Sequence, residues 1–535
     1  MAYAYKPLKY VPPPALTAPE PRHRVAIVGA GPIGLSLAID LAQRGIACVV
    51  LDDNNVVSVG SRAICWAKRS LEIFNRLGVA DKMLEKGVTW QVGRQFHGDR
   101  QLFAFDLLPE DGHRFPAFIN LQQYYVEEFL LTRAGDFPEL IDLRFLNKVI
   151  DHQDHGDHVA LEIETPDGTY TLEAAWMIAC DGARSPSRQR MGLRFEGETF
   201  DENFLIIDVE MEQSPFGTHD APERWFWFAP PFHAGQSALL HKQPDNIYRI
   251  DLQLGPDADP KVEATEENVL PRIKAIVGDT PFRLDWMSVY RFQCARLARF
   301  VHNHVIFAGD SAHVVSPFGA RGGNGGIQDI DNLGWKLAAV LTEKTDTQLI
   351  ASYDAERRAA CDENILHATR ATRFMTPKSS IDTLFRDEVL TLATQHPFAR
   401  RLINSGRLSQ PCVLIDSPLN SSDGGLIATG SPLIDAPLLG KDGPCWLIDV
   451  VPDTFFVLHL SPEPLDLLIN VPCVGIGHSA PYPCYQDLKG QAEKRYGRGT
   501  YLVRPDGHIC AALKGSTAAS IATALDRARG VQHAN

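Results

Sequence analysis

The sequence contains no uncharged apolar run of about 18 or more residues, which argues against a membrane-spanning helix. It also has no excess of basic residues, because 66 Asp and Glu against 52 Lys and Arg give a formal net charge of −14. Nucleic acids and anionic membranes attract basic protein surfaces. We therefore expect neither of them as a partner.

Cysteine is present but is not spaced for metal binding or disulfide exchange. The ten cysteines include no C-x-x-C pair and no zinc-like spacing, and residues 1–23 contain no apolar core of a secretion signal. Cysteines in such a chain are typically reduced thiols, so we expect a cytoplasmic protein without a metal site. The same segment, 1–23, is rich in proline and is expected to form an extended arm.

What the sequence does contain is a strand–helix–strand pattern near its start. RVAIVGAG is a short apolar run, PIGLSLAIDLAQRG has apolar residues at helical spacing, and IACVVLDD is a second apolar run. Gly29, Gly31 and Gly34 lie between the first strand and the helix, and Asp52 ends the second strand. Such glycines allow a tight turn and close backbone approach to a pyrophosphate, and the acid can accept from a ribose hydroxyl. The pattern predicts a dinucleotide-binding unit.

The rest of the chain predicts a larger α/β architecture in several parts. The expected parts are an arm over 1–23, a nucleotide-binding domain over 24–410 with mixed β-sheet inserted at roughly 85–175 and 195–300, a linker over 411–432, and a small α/β domain over 433–535. HVALEIET and DGTYTLEA read as a hairpin. AAWMIACDGARS (174–185) and NHVIFAGDSAH (303–313) predict two further buried strands, and residues 351–410 have a helical pattern.

Two polar turns follow these predicted strands. Asp181 ends the first, and Gly309 with Asp310 ends the second, where open α/β sheets bind ligands. Five of the eight residues from Gly319 to Gly326 are glycine, and IQDIDNLGWKLAAVL reads as a helix after them. Glycine amides and a helix start can together contact a flat ligand that carries negative charge.

In this order the three motifs resemble those of the class A flavoprotein aromatic hydroxylases, of the para-hydroxybenzoate and phenol hydroxylase type. The resemblance covers residues 24–341 and extends to SYDAERR at 352–358. It implies a Rossmann-like FAD-binding domain interleaved with a mixed β-sheet substrate domain, and FAD as cofactor. The residues that it assigns to cofactor binding are Gly29, Gly31, Gly34, Asp52, Arg62, Gln123, Asp181, Gly309, Asp310, Pro317, Gly322, Gly323 and Asn324.

The resemblance also implies a reaction. In this family NADH or NADPH reduces the flavin, which then reacts with O2 to a C4a-hydroperoxide that hydroxylates an electron-rich ring, while the protein excludes water. The expected partners are a small aromatic substrate and O2, and the expected assembly is a homodimer. GSPLIDAPLL (430–439) and LVRPDGHICAAL (502–513) resemble parts of a thioredoxin-like domain, here without redox cysteines.

Activation of a phenol requires a base or a hydrogen-bonding partner. The candidates in the predicted substrate domain are His241, Tyr248, Arg249, Asp251 and Tyr290. Arg321 departs from the family's pattern within GARGGNGG, so we expect it to place positive charge near the flavin or an anionic substrate group.

The run RWFWFAP supplies candidate substrate-binding residues and a rival interpretation. Alternate residues of a strand share a face, so Trp225 and Trp227 are expected to line an apolar pocket, with Arg249 as a further substrate-binding residue. WFWFAP also resembles the W-x-W-x-I-P signature of flavin-dependent halogenases, with Ala229 in place of Ile; those enzymes also need a catalytic lysine. A flavin-binding redox sensor or scaffold is the other alternative.

Overall fold

The computed structural model describes residues 3–60, 63–108, 110–216, 221–233, 235–255, 257–343, 345–403, 409–421, 425–465, 471–477, 479–513 and 516–531. The strands of the N-terminal part are β1 His23–Val28, β2 Cys48–Asp52, β3 Cys65–Ala67, β4 Val88–Thr89, β5 Val92–His97, β6 Arg100–Asp106, β7 Phe118–Asn120, β8 Ile141–Phe145, β9 Lys148–Asp154, β10 Val159–Thr165 and β11 Gly168–Ala179.

The remaining strands form the middle and the C-terminal part of the chain. Those of the middle part are β12 Phe195–Glu210, β13 Arg224–Phe228, β14 Ser237–Lys242, β15 Ile247–Leu254, β16 Arg283–Leu297, β17 Val301–His302, β18 Val305–Phe307 and β19 His313–Val314. Those of the C-terminal part are β20 Pro437–Gly440, β21 Gly443–Trp446, β22 Phe456–Leu460, β23 Cys473–Ile476, β24 Cys484–Asp487, β25 Gly499–Val503 and β26 Ile509–Leu513.

The described helices pack around these strands. They are α1 Pro32–Gln43, α2 Lys68–Leu77, α3 Ala80–Lys86, α4 Gln123–Ala134, α5 Pro186–Arg190, α6 Pro260–Glu263, α7 Glu266–Val277, α8 Gly322–Thr342, α9 Gln348–Met375, α10 Ser380–Ala393, α11 Pro397–Arg400, α12 Leu447–Val450, α13 Gln491–Tyr496 and α14 Ala518–Ala528. No helix within the described ranges is long and apolar enough to cross a membrane.

The first sheet carries the predicted strand–helix–strand unit. Its main order is β17-β18-β11-β1-β2-β8, in which β18, β11, β1, β2 and β8 run parallel. The core strands are almost continuous apolar runs because both faces of a parallel sheet are covered. The mixed α/β fold class that the sequence predicts is confirmed.

The structure divides the predicted inserted segment 85–175 among three sheets, the smallest of which contains β4 and β7. β8 pairs with β2, and β9 and β10 attach through β11 to the first sheet, so only β5 and β6 of that segment join the second sheet. The hairpin of β10 and β11 forms as expected, but β11 continues without a break into the strand predicted from residue 174. Residue alternation identifies strands but does not identify the sheet that they join.

The second sheet is largely antiparallel, with the order β19-β16-β12-β15-β14-β13-β5-β6. One face packs on α7 through apolar residues such as Leu240, Ile250 and Ile273. The other face packs on α9 and α10 through Phe226 and Leu390. Because successive side chains of a strand point to opposite faces, alternate residues of these strands face two separate cores.

Two further sheets complete the described structure. β3, β7 and β4 form a three-stranded sheet beside α2, and the C-terminal strands form a sheet of order β21-β20-β24-β23-β22-β25-β26. In the latter, β22 runs parallel to β23 and antiparallel to β25. Its identity as a thioredoxin-like domain stays a prediction. The described part of the 411–432 segment is hydrogen-bonded along β26, as Ser421 N–H donates to Cys510 O (2.8 Å).

Candidate functional site

Several loops meet at the carboxyl edge of the first sheet. The N–H of Cys180 donates to Val28 O (2.8 Å) and the N–H of Ala308 donates to Ala179 O (3.1 Å), so the ends of β1, β11 and β18 are adjacent. This edge is where open α/β sheets bind ligands. The predicted cofactor residues that the structure brings to it are Gly29, Gly31, Gly34, Asp52, Asp181, Gly309 and Asp310.

The glycine turn after β1 has two glycines pressed against protein and one that faces open space. A Cβ at Gly34 would lie 1.9 Å from Gly29 O, and a Cβ at Gly29, whose φ is +106°, would lie 2.5 Å from Cys180 O. A Cβ at Gly31 would meet no protein atom within 4 Å. Gly31 precedes α1, so the open space lies at a helix N-terminus, which is suited to a phosphate.

Asp52 closes this turn from the end of β2. One carboxylate oxygen accepts the N–H of Ala30 (2.6 Å) and the other accepts the N–H of Asn54 (2.8 Å). Burial raises the pKa of Asp52 above its ordinary value, although both N–H donors oppose the shift. Its contact with a ribose hydroxyl stays a prediction, and its lone pairs leave capacity for one.

Gln123 lies at the start of α4 and connects three parts of the site. Its Oε1 accepts the N–H of Ala63 (3.2 Å), and its Nε2 donates to Ser58 Oγ (2.9 Å) and to Glu127 Oε1 (2.8 Å). The spacing of Gln123 and Glu127 thus gives an i, i+4 hydrogen bond on one helix face. Arg62, which is predicted to contact the flavin, lies outside the described residues.

The turn at Gly309 is held by a buried ion cluster that sequence reasoning did not identify. Asp329 of α8 accepts from the N–H of Gly309 (2.9 Å), from His313 Nε2 (2.6 Å) and from Arg357 Nε (2.7 Å). Burial would raise the pKa of Asp329, but His313 and Arg357 outweigh burial and hold it below its ordinary value. SYDAERR contained the signal for Arg357, whereas Asp329 had none beyond its place in a helix.

Asp181 leaves one oxygen without a partner at this edge. Its Oδ2 accepts the N–H of Ser187 (3.0 Å), and its Oδ1 is buried with no hydrogen-bond partner in the described part of the chain. Arg188 joins this turn to the Gly309 turn, because its guanidinium donates to Ser311 O (3.1 Å) and to Ala183 O (2.7 Å).

The glycine-rich segment forms the first turns of α8 rather than a loop before the helix. α8 begins at Gly322, and a Cβ at Gly326 would lie 2.6 Å from Ile33 Cδ1 and 3.1 Å from the Cα of Gly309. A Cβ at Gly323 would lie 3.2 Å from that of Ala63. These glycines let the helix approach α1 and the Gly309 turn closely, which offsets their poor helix propensity.

The side-chain amide of Asn324 makes its hydrogen bonds within the protein. Its Oδ1 accepts from the N–H of Ala67 (2.9 Å) and from Ser70 Oγ (2.6 Å), while its Nδ2 donates to Cys65 O (2.8 Å) and Ala320 O (2.6 Å). Its side chain therefore joins α8 to β3 and α2. A contact between Asn324 and the cofactor stays a prediction, and the side-chain amide is not free to make it.

Arg321 lies at the N-cap of α8, and its guanidinium is directed to α9. Its Nη1 donates to Asn364 Oδ1 (3.0 Å), and burial lowers its pKa below the ordinary value. A positive charge close to the flavin or the substrate stays a prediction for this residue. Gly319 lies against Arg321, since a Cβ on Gly319 would come 2.9 Å from Arg321 Nε.

Two adjoining cavities lie between the second sheet, the segment 317–319 and the end of α9. They share Arg224, Phe226 and Phe318, and Pro317 lines one of them. The aromatic residues that line them are Phe204, Phe226, Phe228, Phe292, Phe318 and Phe374. A concave, largely apolar site with few polar groups is typical of small-molecule binding.

The residues of β13 that face these cavities are not the two tryptophans. Phe226 and Phe228 line them, whereas Trp225 and Trp227 pack on the α7 side of the sheet beside Phe216. This corrects the prediction for the two tryptophans. Alternation alone gives two equivalent faces, and the pairing of β13 with β14 and β5 decides between them.

The candidate polar residues of the sheet are divided between its faces. Tyr248 is buried on the α7 side against Phe216, away from the cavities. Arg249 faces the other side but makes a buried two-point ion pair with Asp208 (2.8 and 2.6 Å). Tyr290 packs beside the phenylalanine cluster of the cavity face. Only Asp251 of the candidates lines a cavity directly.

His241 is a buried neutral donor. Trp90 Nε1 can only donate, and it donates to Asn120 Oδ1 (2.9 Å), so the Asn120 amide nitrogen faces Lys242 O (2.7 Å) and His241 Nδ1 (3.3 Å). Nδ1 therefore accepts, and the ring proton lies on Nε2. Burial and two neighbouring arginines hold the pKa of His241 well below its ordinary value.

These features fit a bound FAD. The described residues offer open space in front of Gly31, a similar opening at Gly182, where a Cβ would meet no atom within 4 Å, and an unpartnered oxygen on Asp181. Two helix N-termini, those of α1 and α8, begin beside this edge and can stabilise negative charge.

Comparison with known proteins gives the family. A family model described as "FAD binding domain" matches residues 22–368, which is more than half of the chain. The chain therefore belongs to this FAD-binding-domain family. Its resemblance to flavoprotein hydroxylases, stated from the motifs, is confirmed at the level of the family.

Curated relatives are more specific in their names. The chain is 29% identical over 381 residues to a 3-(3-hydroxy-phenyl)propionate/3-hydroxycinnamic acid hydroxylase of Mycolicibacterium gilvum, covering 71% of this chain and 65% of that protein. It is 32% identical over 349 residues to a flavin-dependent monooxygenase of Mycobacteroides abscessus, covering 62% and 70%. The chain thus spans slightly less than two thirds of the length of the first of these relatives.

Solved structures share the fold. A p-nitrophenol 4-monooxygenase from Pseudomonas putida DLL-E4 superposes with a TM-score of 0.64 at 26% identity, covering 72% of this chain and 98% of that one. A flavin-dependent monooxygenase called PieE, solved with FAD and substrate, has a TM-score of 0.80 at 20% identity and covers 96% of this chain and 100% of its own. The second match supports the fold of nearly the whole chain.

Proposed function

We propose that the chain is a flavin-dependent monooxygenase that hydroxylates a phenol or another electron-rich arene, with NADH or NADPH and O2 as co-substrates. The observation that carries this proposal is the phenylalanine-lined cavity, which adjoins the segment 317–319 directly before the N-terminus of α8. The names of the relatives also support it, because both the phenylpropionate hydroxylase and the nitrophenol monooxygenase act on hydroxylated rings.

Bound FAD would supply the redox chemistry that activates O2. The chain's own residues bind and orient: the turn at Gly31 and the acid Asp52 hold the nucleotide end, and the first turn of α8 stabilises negative charge on the ring end. The phenylalanines of the cavity, such as Phe226 and Phe318, pack on the substrate ring and exclude water.

The halogenase alternative has less support. No lysine is among the described residues that line the two cavities, and a halogenase requires one. The tryptophans of its signature, Trp225 and Trp227, lie in the core on the opposite face of the sheet. A sensor or scaffold without catalysis would not need an aromatic cavity next to the cofactor edge.

The proposal is tested by turnover. The purified yellow protein is incubated with NADH or NADPH, O2 and a panel of phenols, hydroxybenzoates and hydroxyphenylpropionates, and products are identified by mass. We expect one class of phenol to accelerate nicotinamide oxidation and to gain one oxygen atom. If no compound accelerates that oxidation, the proposal is overturned; a product that depends on chloride or bromide would favour the halogenase.

The proposal includes the assembly of the protein and its location in the cell. We infer a homodimer in the cytoplasm, in which residues 433–535 are a thioredoxin-like domain with a structural role. No described group of His, Cys, Asp and Glu side chains is arranged to hold a metal ion. Sedimentation equilibrium of the holoenzyme tests the dimer, and a monomer at micromolar concentration would contradict it.

A further inference from the structure

The cavity wall carries two opposite charges, Asp251 and Arg224, that form no ion pair with each other within the described structure. Asp251 of β15 and Arg224 of β13 line the same cavity. Asp251 Oδ1 is buried without a hydrogen-bond partner among the described residues. The guanidinium of Arg224 has no hydrogen bond or ion pair within the described structure, and it lies 6.0 Å over the ring of Phe226. A buried carboxylate oxygen left unpaired is costly, so its persistence in a cavity indicates a ligand group.

The other charged and titratable groups around Asp251 are already satisfied or neutral. Arg249 and Asp208 pair with each other through two hydrogen bonds. His241 is neutral, with Nδ1 occupied by Asn120; its buried Nε2–H has no partner among the described residues, but His241 lines neither cavity. Burial raises the pKa of the Cys65 thiol to about 11. Within the described structure this leaves Asp251 and Arg224 as the acceptor and the donor that face the cavity.

A ring hydroxyl matches this pair, because it donates one hydrogen bond and accepts others. We propose that Asp251 is the catalytic base that takes the proton of the substrate's phenolic hydroxyl, while Arg224 stabilises the phenolate oxygen. The O–H bond of the phenol breaks, a new O–H bond forms on Asp251, and the electron pair stays on the phenolate oxygen. This inference rests on the proposed function and narrows its substrate class to phenols.

The acidity of Asp251 suits this role. Burial raises its pKa to about 6, although Arg249 and Arg224 oppose the shift. A base with a pKa near the working pH is ionised in the free enzyme and still basic enough to accept a proton. Arg224 lowers the pKa of the bound phenol through charge, so the two residues shift the proton in the same direction.

The test compares Asp251→Asn with wild type on phenols of graded acidity. The substitution keeps the shape and one acceptor but removes the base. For weakly acidic phenols at neutral pH we expect product formation to fall by roughly 10² to 10³-fold. A strongly acidic phenol, such as a nitrophenol, arrives already ionised and should lose little. The rate of the variant on weakly acidic phenols should also recover as pH approaches the pKa of the phenol.

A binding measurement separates this role from damage to the fold. The absorbance of a bound nitrophenol reports its ionisation, and Arg224→Met should reduce the phenolate fraction without a comparable loss of affinity for the matching nitroanisole. Asp257→Asn, at an exposed carboxyl after β15, is the control and should behave as wild type.

The outcomes distinguish the inference from the proposed function. An equal loss by Asp251→Asn on all phenols, or no loss on any, overturns the role of Asp251 while wild-type hydroxylation still stands. If the wild-type holoenzyme neither binds nor hydroxylates any phenol, the proposed function and the inference fail together.

Discussion

Gly31 and Gly34 are glycines for different physical reasons. A Cβ at Gly34 would overlap the backbone oxygen of Gly29, whereas a Cβ at Gly31 would enter open space in front of α1. Gly34 is required by the protein fold, whereas Gly31 leaves open space that we propose a bound nucleotide fills. A nucleotide-binding turn needs both kinds, and the structure distinguishes them where the G-x-G-x-x-G spacing does not.

This difference predicts the behaviour of Gly31→Ala. Because the new methyl group meets no protein atom, the apoprotein should unfold at the wild-type temperature. FAD affinity should fall by at least about tenfold, since the methyl group occupies the space of the pyrophosphate. Thermal unfolding of apoprotein and fluorescence titration with FAD measure the two quantities. Gly255→Ala, away from the turn, is the control. Unchanged FAD affinity in Gly31→Ala would contradict the proposal that the pyrophosphate occupies the space in front of Gly31.

At the scale of elements, much of the first sheet follows from the sequence. Apolar runs and glycine spacing predict β1, α1 and β2, because local periodicity determines them. Local periodicity does not predict which alternate residues of β13 face the cavities, since RWFWF places aromatic residues on both faces of the strand. The start of α8 was also missed: four glycines at Gly322, Gly323, Gly325 and Gly326 argue locally against helix. Close packing on α1 explains Gly326, and the close approach of Ala63 explains Gly323.

The close approach of α8 predicts a cost for Gly326→Ala. The added methyl group would lie 2.6 Å from Ile33 Cδ1 and 3.1 Å from Gly309 Cα, so the free energy of unfolding should fall by about 1–3 kcal/mol. Ile33→Val removes the Cδ1 atom and should restore part of the loss in the double variant. Urea unfolding of the four proteins tests this. Equal losses with and without Ile33→Val would show that the contact is not the cause.

The two faces of β13 predict different effects for neighbouring aromatic residues. Phe226→Leu changes the cavity wall and should alter KM for aromatic substrates at least several-fold, with only a small change in unfolding temperature. Trp227→Leu changes the core on the α7 side and should mainly lower stability, by roughly 1–3 kcal/mol. Steady-state kinetics and thermal unfolding measure both variants. A larger KM effect in Trp227→Leu than in Phe226→Leu would contradict the assignment of Phe226 to the cavity wall and of Trp227 to the core.

At the scale of the molecule, a buried ionic cluster joins the C-terminal sheet to the FAD-binding domain. Arg504, at the end of β25, donates to both oxygens of Glu356 on α9 (2.7 and 3.1 Å), and Lys336 of α8 donates to the same carboxylate (2.7 Å). Burial would raise the pKa of Glu356, but Arg504 and Lys336 outweigh it and hold the pKa well below its ordinary value. The sequence segment LVRPDGHICAAL gave no sign that Arg504 pairs with Glu356, because the two residues are far apart in the chain.

Glu356→Gln should therefore destabilise the protein strongly at neutral pH. It leaves the buried Lys336 without its carboxylate partner, while Arg504 keeps Asp506, and breaking a buried ionic cluster in this way costs about 3–5 kcal/mol. Because the folded pKa is depressed, the contribution of Glu356 is fully present above its unfolded pKa of about 4.3 and declines as pH falls below that value. Denaturation at pH 7 and at lower pH measures this. Glu343→Gln, at the exposed end of α8, is the control, and a pH-independent difference would contradict the assignment.

We propose that this chain inserts one atom of O2 into a phenol. Turnover of the holoenzyme under ¹⁸O2, with NADH or NADPH and the phenol that stimulates nicotinamide oxidation, tests this through mass analysis of the product. We expect one ¹⁸O atom in the new hydroxyl group. A product oxygen that comes from water, or nicotinamide oxidation that yields only hydrogen peroxide with every phenol, would contradict it.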